Sequence, residues 1–376
     1  MPRTCNSAST HDGCSELLLH VDSEFSSFLN YSPLTNRQHL SIFLSPESNM
    51  SIQKHHVWEY PTLSTPKAIL RFVFTWLVTL AIFVVLFSRI PFHDVVSLLQ
   101  QTDMRFLCAG LLCSVLAHLF FSSARFQRVV KMTGCRISFG EAVIIRMGCN
   151  PIKGILPFKM GEFAILGYMK ERHHLSYARG LLALLSGYMF SFTALIFFCS
   201  MGGLFYVHPP LQKMLFAAAC LLIVLLIAIS IRQNFFRPVV LYIHKILRLP
   251  ENVRKIIESY DPQTGQAIMI HSLAIEGCKL LIILFSFKSL SIDLPVDALL
   301  LWGSMTIIAA YLPMTYWGLG MRESAVIVLF AGYAAPGHLL AAGLLMTFVD
   351  GLLPVLLGLF FIRPFLNNWL GSMMQK

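Results

Sequence analysis

Four stretches of the chain, residues 69–90, 181–207, 214–231 and 338–362, are apolar almost without interruption. Each reaches or approaches the roughly 20 residues that carry an α-helix across a bilayer. Composition points the same way. Only 13% of residues are charged and 56% are hydrophobic, with mean hydropathy +0.67, whereas soluble domains carry about 25% charged residues. A soluble fold of 376 residues could not cover its surface with so few polar groups. The expectation is an all-α, polytopic membrane helix bundle. A soluble enzyme, a nucleic-acid binder and a secreted disulfide scaffold are excluded.

The formal charge of +10 therefore points to the anionic cytoplasmic leaflet, where basic loops are held, and not to nucleic acid. Nine cysteines include no CxxC pair and no Cys/His cluster at zinc spacing, so they read as small buried hydrophobes, with no metal expected. Residues 1–60 are Ser-rich, polar and aperiodic, and are expected to form a disordered tail ahead of a membrane domain over 61–376. Residues 1–49 carry net charge −3, leaving +13 on the remainder. A second reading starts translation at Met50, just before Lys54 and Lys67.

Lys and Arg set the orientation. Lys54 and Lys67 precede the first span, and Arg125, Arg128, Lys131 and Arg136 follow a second over 106–124, which places that loop and the N-terminus in the cytoplasm. Residues 141–158 are moderately apolar, broken by Gly148, Pro151, Gly154 and Pro157, and flanked on both sides by basic residues. They read as a re-entrant hairpin, and irregular backbone at that depth survives only where protein or a water-filled cavity satisfies it. Spans over 181–207 and 214–231 follow, then amphipathic interfacial segments over 238–260, then a span over 267–287. Residues 298–335 are again apolar but broken, at Pro313, Gly318 and Gly320, before the last span. The plan is about six full spans plus two re-entrant broken-helix hairpins, one from each side, in an inverted repeat.

The two breaks resemble each other. One reads Leu156-Pro157-Phe158-Lys159-Met160-Gly161-Glu162, and the other runs from Leu312-Pro313 through Gly318-Leu319-Gly320-Met321-Arg322-Glu323. Proline ends a helix, glycine allows a tight turn, and the restarting helix offers unpaired N–H groups. The stretches 146–166 and 312–323 resemble the paired signatures of the lysylphosphatidylglycerol synthase transmembrane family, flippase-like membrane proteins. Arg146, Asn150, Leu156, Pro157, Gly161 and Glu162 stand at the places of the first pattern. Leu312, Pro313, Gly318, Leu319, Gly320, Arg322 and Glu323 stand at those of the second. The likeness covers roughly residues 70–364. One departure is Ile165, where the family usually has a basic residue. The resemblance implies a domain that moves a lipid or a lipid-linked head group between leaflets.

An ionisable group at mid-bilayer costs roughly 2.5–3.5 kcal/mol on insertion scales, so each needs a reason. Glu162 and Glu323 either cap the helices they open or meet a cationic head group or a proton. Arg322 either pairs with Glu323 or anchors a phosphate. Glu276 and Lys279 share a helix face and read as a structural pair or a substrate contact. Asp350 is a candidate proton or cation site. Arg146, Lys153 and Lys159 either bind anionic head groups or snorkel to the interface.

No Walker-type run, HExxH or GxSxG is present, so no catalytic residue, cofactor or enzyme activity is expected. About a dozen residues after Ile362 are too few for a catalytic domain. The leading expectation is a multi-pass protein of the bacterial inner membrane that translocates a polar-headed lipid. The alternative is a membrane-embedded lipid-modifying enzyme, or a non-transporting partner subunit of a lipid synthase or glycosyltransferase. Membrane lipids are the expected partners.

Overall fold

The structure, a computed structural model, describes residues 66–155, 161–206, 262–311 and 318–374, with the single positions 215, 218 and 315. The chain divides into two units, Met1–Tyr60 and Pro61–Lys376, and every described residue belongs to the second. The expected tail, the Met50 start, the span over 214–231 and the segments over 238–260 lie outside the described residues. So do Pro157, Lys159 and Pro313.

Every regular element among the described residues is helical. Helix α1 (Pro66–Arg89) meets Pro91 and turns by 88° into the short helix α2 (Phe92–Gln100). Proline has no N–H to continue the ladder, which accounts for the corner. A long span, Met104–Met132, comprises α3 (Met104–Val115), a π-helical turn (Leu116–Phe121) and α4 (Ser122–Met132). Asp103 caps its start by accepting from the Arg105 N–H at 2.8 Å. Then come α5 (Phe139–Ile155), α6 (Glu162–His173), α7 (Tyr177–Tyr206) and α8 (Pro262–Lys288). The short α9 (Val296–Ala298), a π turn (Leu299–Gly303) and α10 (Ser304–Tyr311) lead to α11 (Met321–Leu329). Last are α12 (Pro336–Met346), a third π turn (Thr347–Leu352) and α13 (Leu353–Met374).

Four of these helices are long and apolar enough to cross a membrane, and a fifth span arises if α1 and α2 count as one. Large apolar side chains such as Leu80, Val84, Leu112, Phe205, Leu359 and Phe360 lie exposed on their outer faces. Outward-facing apolar side chains around a bundle suit a lipid surround, so the chain is a multi-pass membrane protein.

The structure corrects two expectations. Gly148, Pro151 and Gly154 do not break the first hairpin, because all three lie inside the continuous helix α5. Gly148 serves packing instead, and Gly358 on α13 does the same from the other side. A Cβ on Gly148 would stand 2.5 Å from the Phe365 Cβ, and one on Gly358 would stand 2.5 Å from the Met147 carbonyl oxygen. Reciprocal small residues thus bring α5 and α13 together, as is usual where lipid supplies no hydrophobic drive. The second correction concerns the basic residues after 124. Arg125, Arg128 and Lys131 belong to helix α4, not to a loop.

Candidate functional site

A cavity of about 230 Å³ lies inside the bundle, lined from α4, α5, α7, α8, α10, α13, the starts of α6 and α11, and two of the π turns. Both broken motifs reach it. The first contributes Arg146, Asn150, Lys153 and Glu162, and the second contributes Arg322, with Tyr311 just ahead of it at the end of α10.

Two polar stripes explain how apolar helices present charge there. His118, Ser122 and Arg125 stand at spacings of four and three, as do Arg146, Asn150 and Lys153, so each set shares one helix face. The π turn at His118 faces the π turn at Asp350, and His118 Nε2 lies 3.0 Å from Asp350 Oδ1. Ser114 Oγ donates to the Val349 carbonyl at 2.6 Å, which satisfies backbone in the widened turn.

Glu162 opens α6, but its side chain does not cap that helix. It accepts from Lys153 Nζ at 2.6 Å and from the Tyr188 hydroxyl at 3.1 Å, and Arg146 Nη1 stands 3.6 Å from its other oxygen. Gly161 just before it has φ −56°, a conformation open to any residue. Its smallness matters for another reason, since a Cβ there would meet the Lys153 backbone at 2.5 Å.

The second motif behaves differently. Glu323 is fully buried, accepts from the Gly320 N–H at 2.6 Å, and so caps the helix it opens. Its other oxygen accepts from the Thr347 hydroxyl. Gly320 has φ 85°, where side-chain-bearing residues are rarely found. Arg322 does not pair with Glu323. It reaches α12 and the π turn beyond, donating to the Met346 carbonyl at 3.2 Å and lying 3.6 Å from Asp350 Oδ2.

Lys279 donates to the Tyr311 hydroxyl at 2.6 Å and pairs with Glu276 at 3.2 Å, and Tyr311 donates in turn to Glu276 at 3.0 Å. Of the side chains singled out in the sequence, Arg146, Lys153, Glu162, Lys279, Arg322 and Asp350 line the cavity. Glu276 and Glu323 are fully buried behind it, and Lys159 lies outside the described residues. Ile165, at the departure from the family pattern, is 1% exposed and packs with Phe126, Tyr168 and Phe365. Sequence reasoning missed His118, Ser122, Arg125, Tyr188 and Tyr311. The signal for the first three was their spacing.

A second, apolar groove of about 250 Å³ adjoins the cavity and shares Glu162, Leu184, Tyr188 and Tyr311 with it. Phe163, Leu166, Leu181, Leu185 and Phe192 complete it, from α6 and α7. Phe163 is 61% exposed, and Leu185 and Phe192 are also exposed, so the groove opens to the outer surface of the bundle.

The family described as lysylphosphatidylglycerol synthase TM region matches residues 69–358. The chain belongs to that family. Comparison with curated proteins finds no match. The matched stretch begins in α1 and ends in α13, and it contains every residue that lines the cavity.

Proposed function

We propose that the protein translocates a polar-headed lipid, or a lipid-linked head group, between membrane leaflets. One observation carries the reading: a charged cavity among apolar helices adjoins, through shared lining residues, an apolar groove that opens sideways. A volume of about 230 Å³ falls below the roughly 300–1,000 Å³ of sites for drug-sized ligands, so it suits a head group and not a whole lipid. Tyr188, Tyr311 and Leu184 stand where the polar and apolar spaces meet, the place a glycerol or isoprenoid junction would occupy. The membrane lipids themselves are the proposed partners, and the cytoplasmic membrane of a bacterium is the proposed setting.

Reconstitution tests this directly. Purified protein in liposomes should speed the exchange of head-labelled phospholipid between leaflets, with the lipid's mass unchanged. A new lipid species would replace the proposal with membrane-embedded lipid modification. Protein that inserts correctly and leaves exchange at the protein-free rate would refute translocation.

A further inference from the structure

Counted as ionised, the cavity's side chains do not balance. Arg125, Arg146, Lys153, Lys279 and Arg322 face Glu162 and Asp350, and Glu276 stands behind Lys279. Five cations against these three carboxylates leave two positive charges in excess, with histidine neutral, and one still remains when Glu323, buried behind the cavity at Gly320 and Thr347, is counted as well. In an interior of low effective dielectric such an excess attracts anions strongly.

The excess has an address. Arg322 is offset by Asp350 and Lys279 by Glu276, while Lys153 and Arg146 share the single carboxylate of Glu162. Arg125 has no carboxylate within 4.0 Å among the described residues. Its Nη1 donates to the hydroxyls of Ser191 at 2.6 Å and Ser272 at 3.2 Å. Hydroxyls orient a guanidinium without neutralising it. Arg125 Nη2 and Nε make no hydrogen bond among the described residues, and the residue lines the cavity. Arg146 lies on the same side, tied by its Nε to Ser122 one turn before Arg125. Two guanidinium groups held by hydroxyls, with donors to spare, match the planar, two-pronged recognition of a phosphate.

We infer that Arg125, with Arg146, anchors a phosphate group in the cavity, and that the site selects anionic over cationic lipid heads. The inference rests on the proposed lipid reading and narrows its substrate class. A head with net positive charge finds Glu162 already shared by Lys153 and Arg146, and Asp350 already shared by His118 and Arg322. It would add a cation to an existing surplus. The groove beside Glu162 supplies the apolar space that a free phosphate would not use.

Binding tests this separately from transport. Full-length protein in neutral detergent is titrated calorimetrically with short-chain phosphatidylglycerol, its lysine ester, phosphate-free diacylglycerol, and inorganic phosphate. The anionic phospholipid should bind at least tenfold tighter than the cationic ester or diacylglycerol. It should also bind at least tenfold tighter than inorganic phosphate. Arg125→Gln should remove most of the preference for the anionic lipid, and Arg125→Lys should restore part of it. The head-charge series uses the unaltered protein, so it stands even where a variant fails to fold. Equal or tighter binding of the cationic ester overturns the inference, as does wild-type selectivity in folded Arg125→Gln. Inorganic phosphate binding as tightly as the lipid overturns the lipid source. Charge-selective binding without leaflet exchange would sink translocation alone, whereas exchange with no head-charge preference would sink this inference alone.

Discussion

Glu162 and Glu323 both lie in the first turn of a helix that restarts after a break, one directly after Gly161 and the other three residues after Gly320, and their surroundings separate them. Glu323 is wholly buried and committed to Gly320 and Thr347, whereas Glu162 lines the cavity among cations. Glu323→Ala should therefore cost stability and spare chemistry. Two buried partners lose their bonds, at about 1–3 kcal/mol for each group left unsatisfied, which thermal unfolding in detergent would read. Lipid exchange per folded molecule should stay near the unaltered rate, and a selective loss of exchange would reassign Glu323 to the cavity. Arg322 and Asp350 form the pair to test by double substitution. Removing one partner of a buried ion pair costs roughly 3–5 kcal/mol, and removing both often costs less. Arg322→Gln and Asp350→Asn should each lower the melting temperature more than the double variant does. Additive losses would show that the 3.6 Å contact contributes no coupling.

At the scale of elements, the π turns at 116–121 and 347–352 set which side chains face the cavity. An α-helix turns about 100° per residue. Deleting Leu119 should restore regular winding, bring His118 from four residues before Ser122 to three, and so turn its ring off the 3.0 Å contact with Asp350. Helix content by circular dichroism should hold while lipid exchange falls to background, and retained exchange would make the widened turn incidental. The seam of α5 and α13 makes a different prediction. Gly148→Ala places a methyl against Phe365 and the Phe361 carbonyl, and overpacking of this kind costs about 1–3 kcal/mol, visible as a lower melting temperature. Much at this scale was legible in sequence. Long apolar runs announce spans because a bilayer admits little else, and Leu-Pro followed by glycine and glutamate announces a restarting helix. Arg125 was not legible as a cavity residue, because an arginine after an apolar run looks like the end of a span. Here the helix continues to Met132. Nor were Tyr188 and Tyr311, since tyrosine in an apolar run reads as core until a carboxylate is found beside it. Gly148 and Pro151 misled in the opposite direction: residues that break helices in water are accommodated when a neighbouring helix packs against them.

For the whole molecule, the count of basic residues predicts sides of the membrane. Cysteine placed within 293–297 should react with an impermeant thiol reagent from outside intact cells, and cysteine at Lys131 or Lys170 should react only after permeabilisation. Lys131 and Lys170 labelling from opposite sides would turn the α5–α6 pair into a full crossing and remove the two-sided plan of broken helices. The bundle combines a polar cavity among its helices with an apolar slot between α6 and α7 that is open along its flank. A slot open on its flank sets no limit on the length of what hangs out of it. Under the proposed reading, chain length, branching and unsaturation go unmeasured, and only the part that must leave the oil is inspected. A cell could then remodel its fatty acids with temperature without retuning this protein.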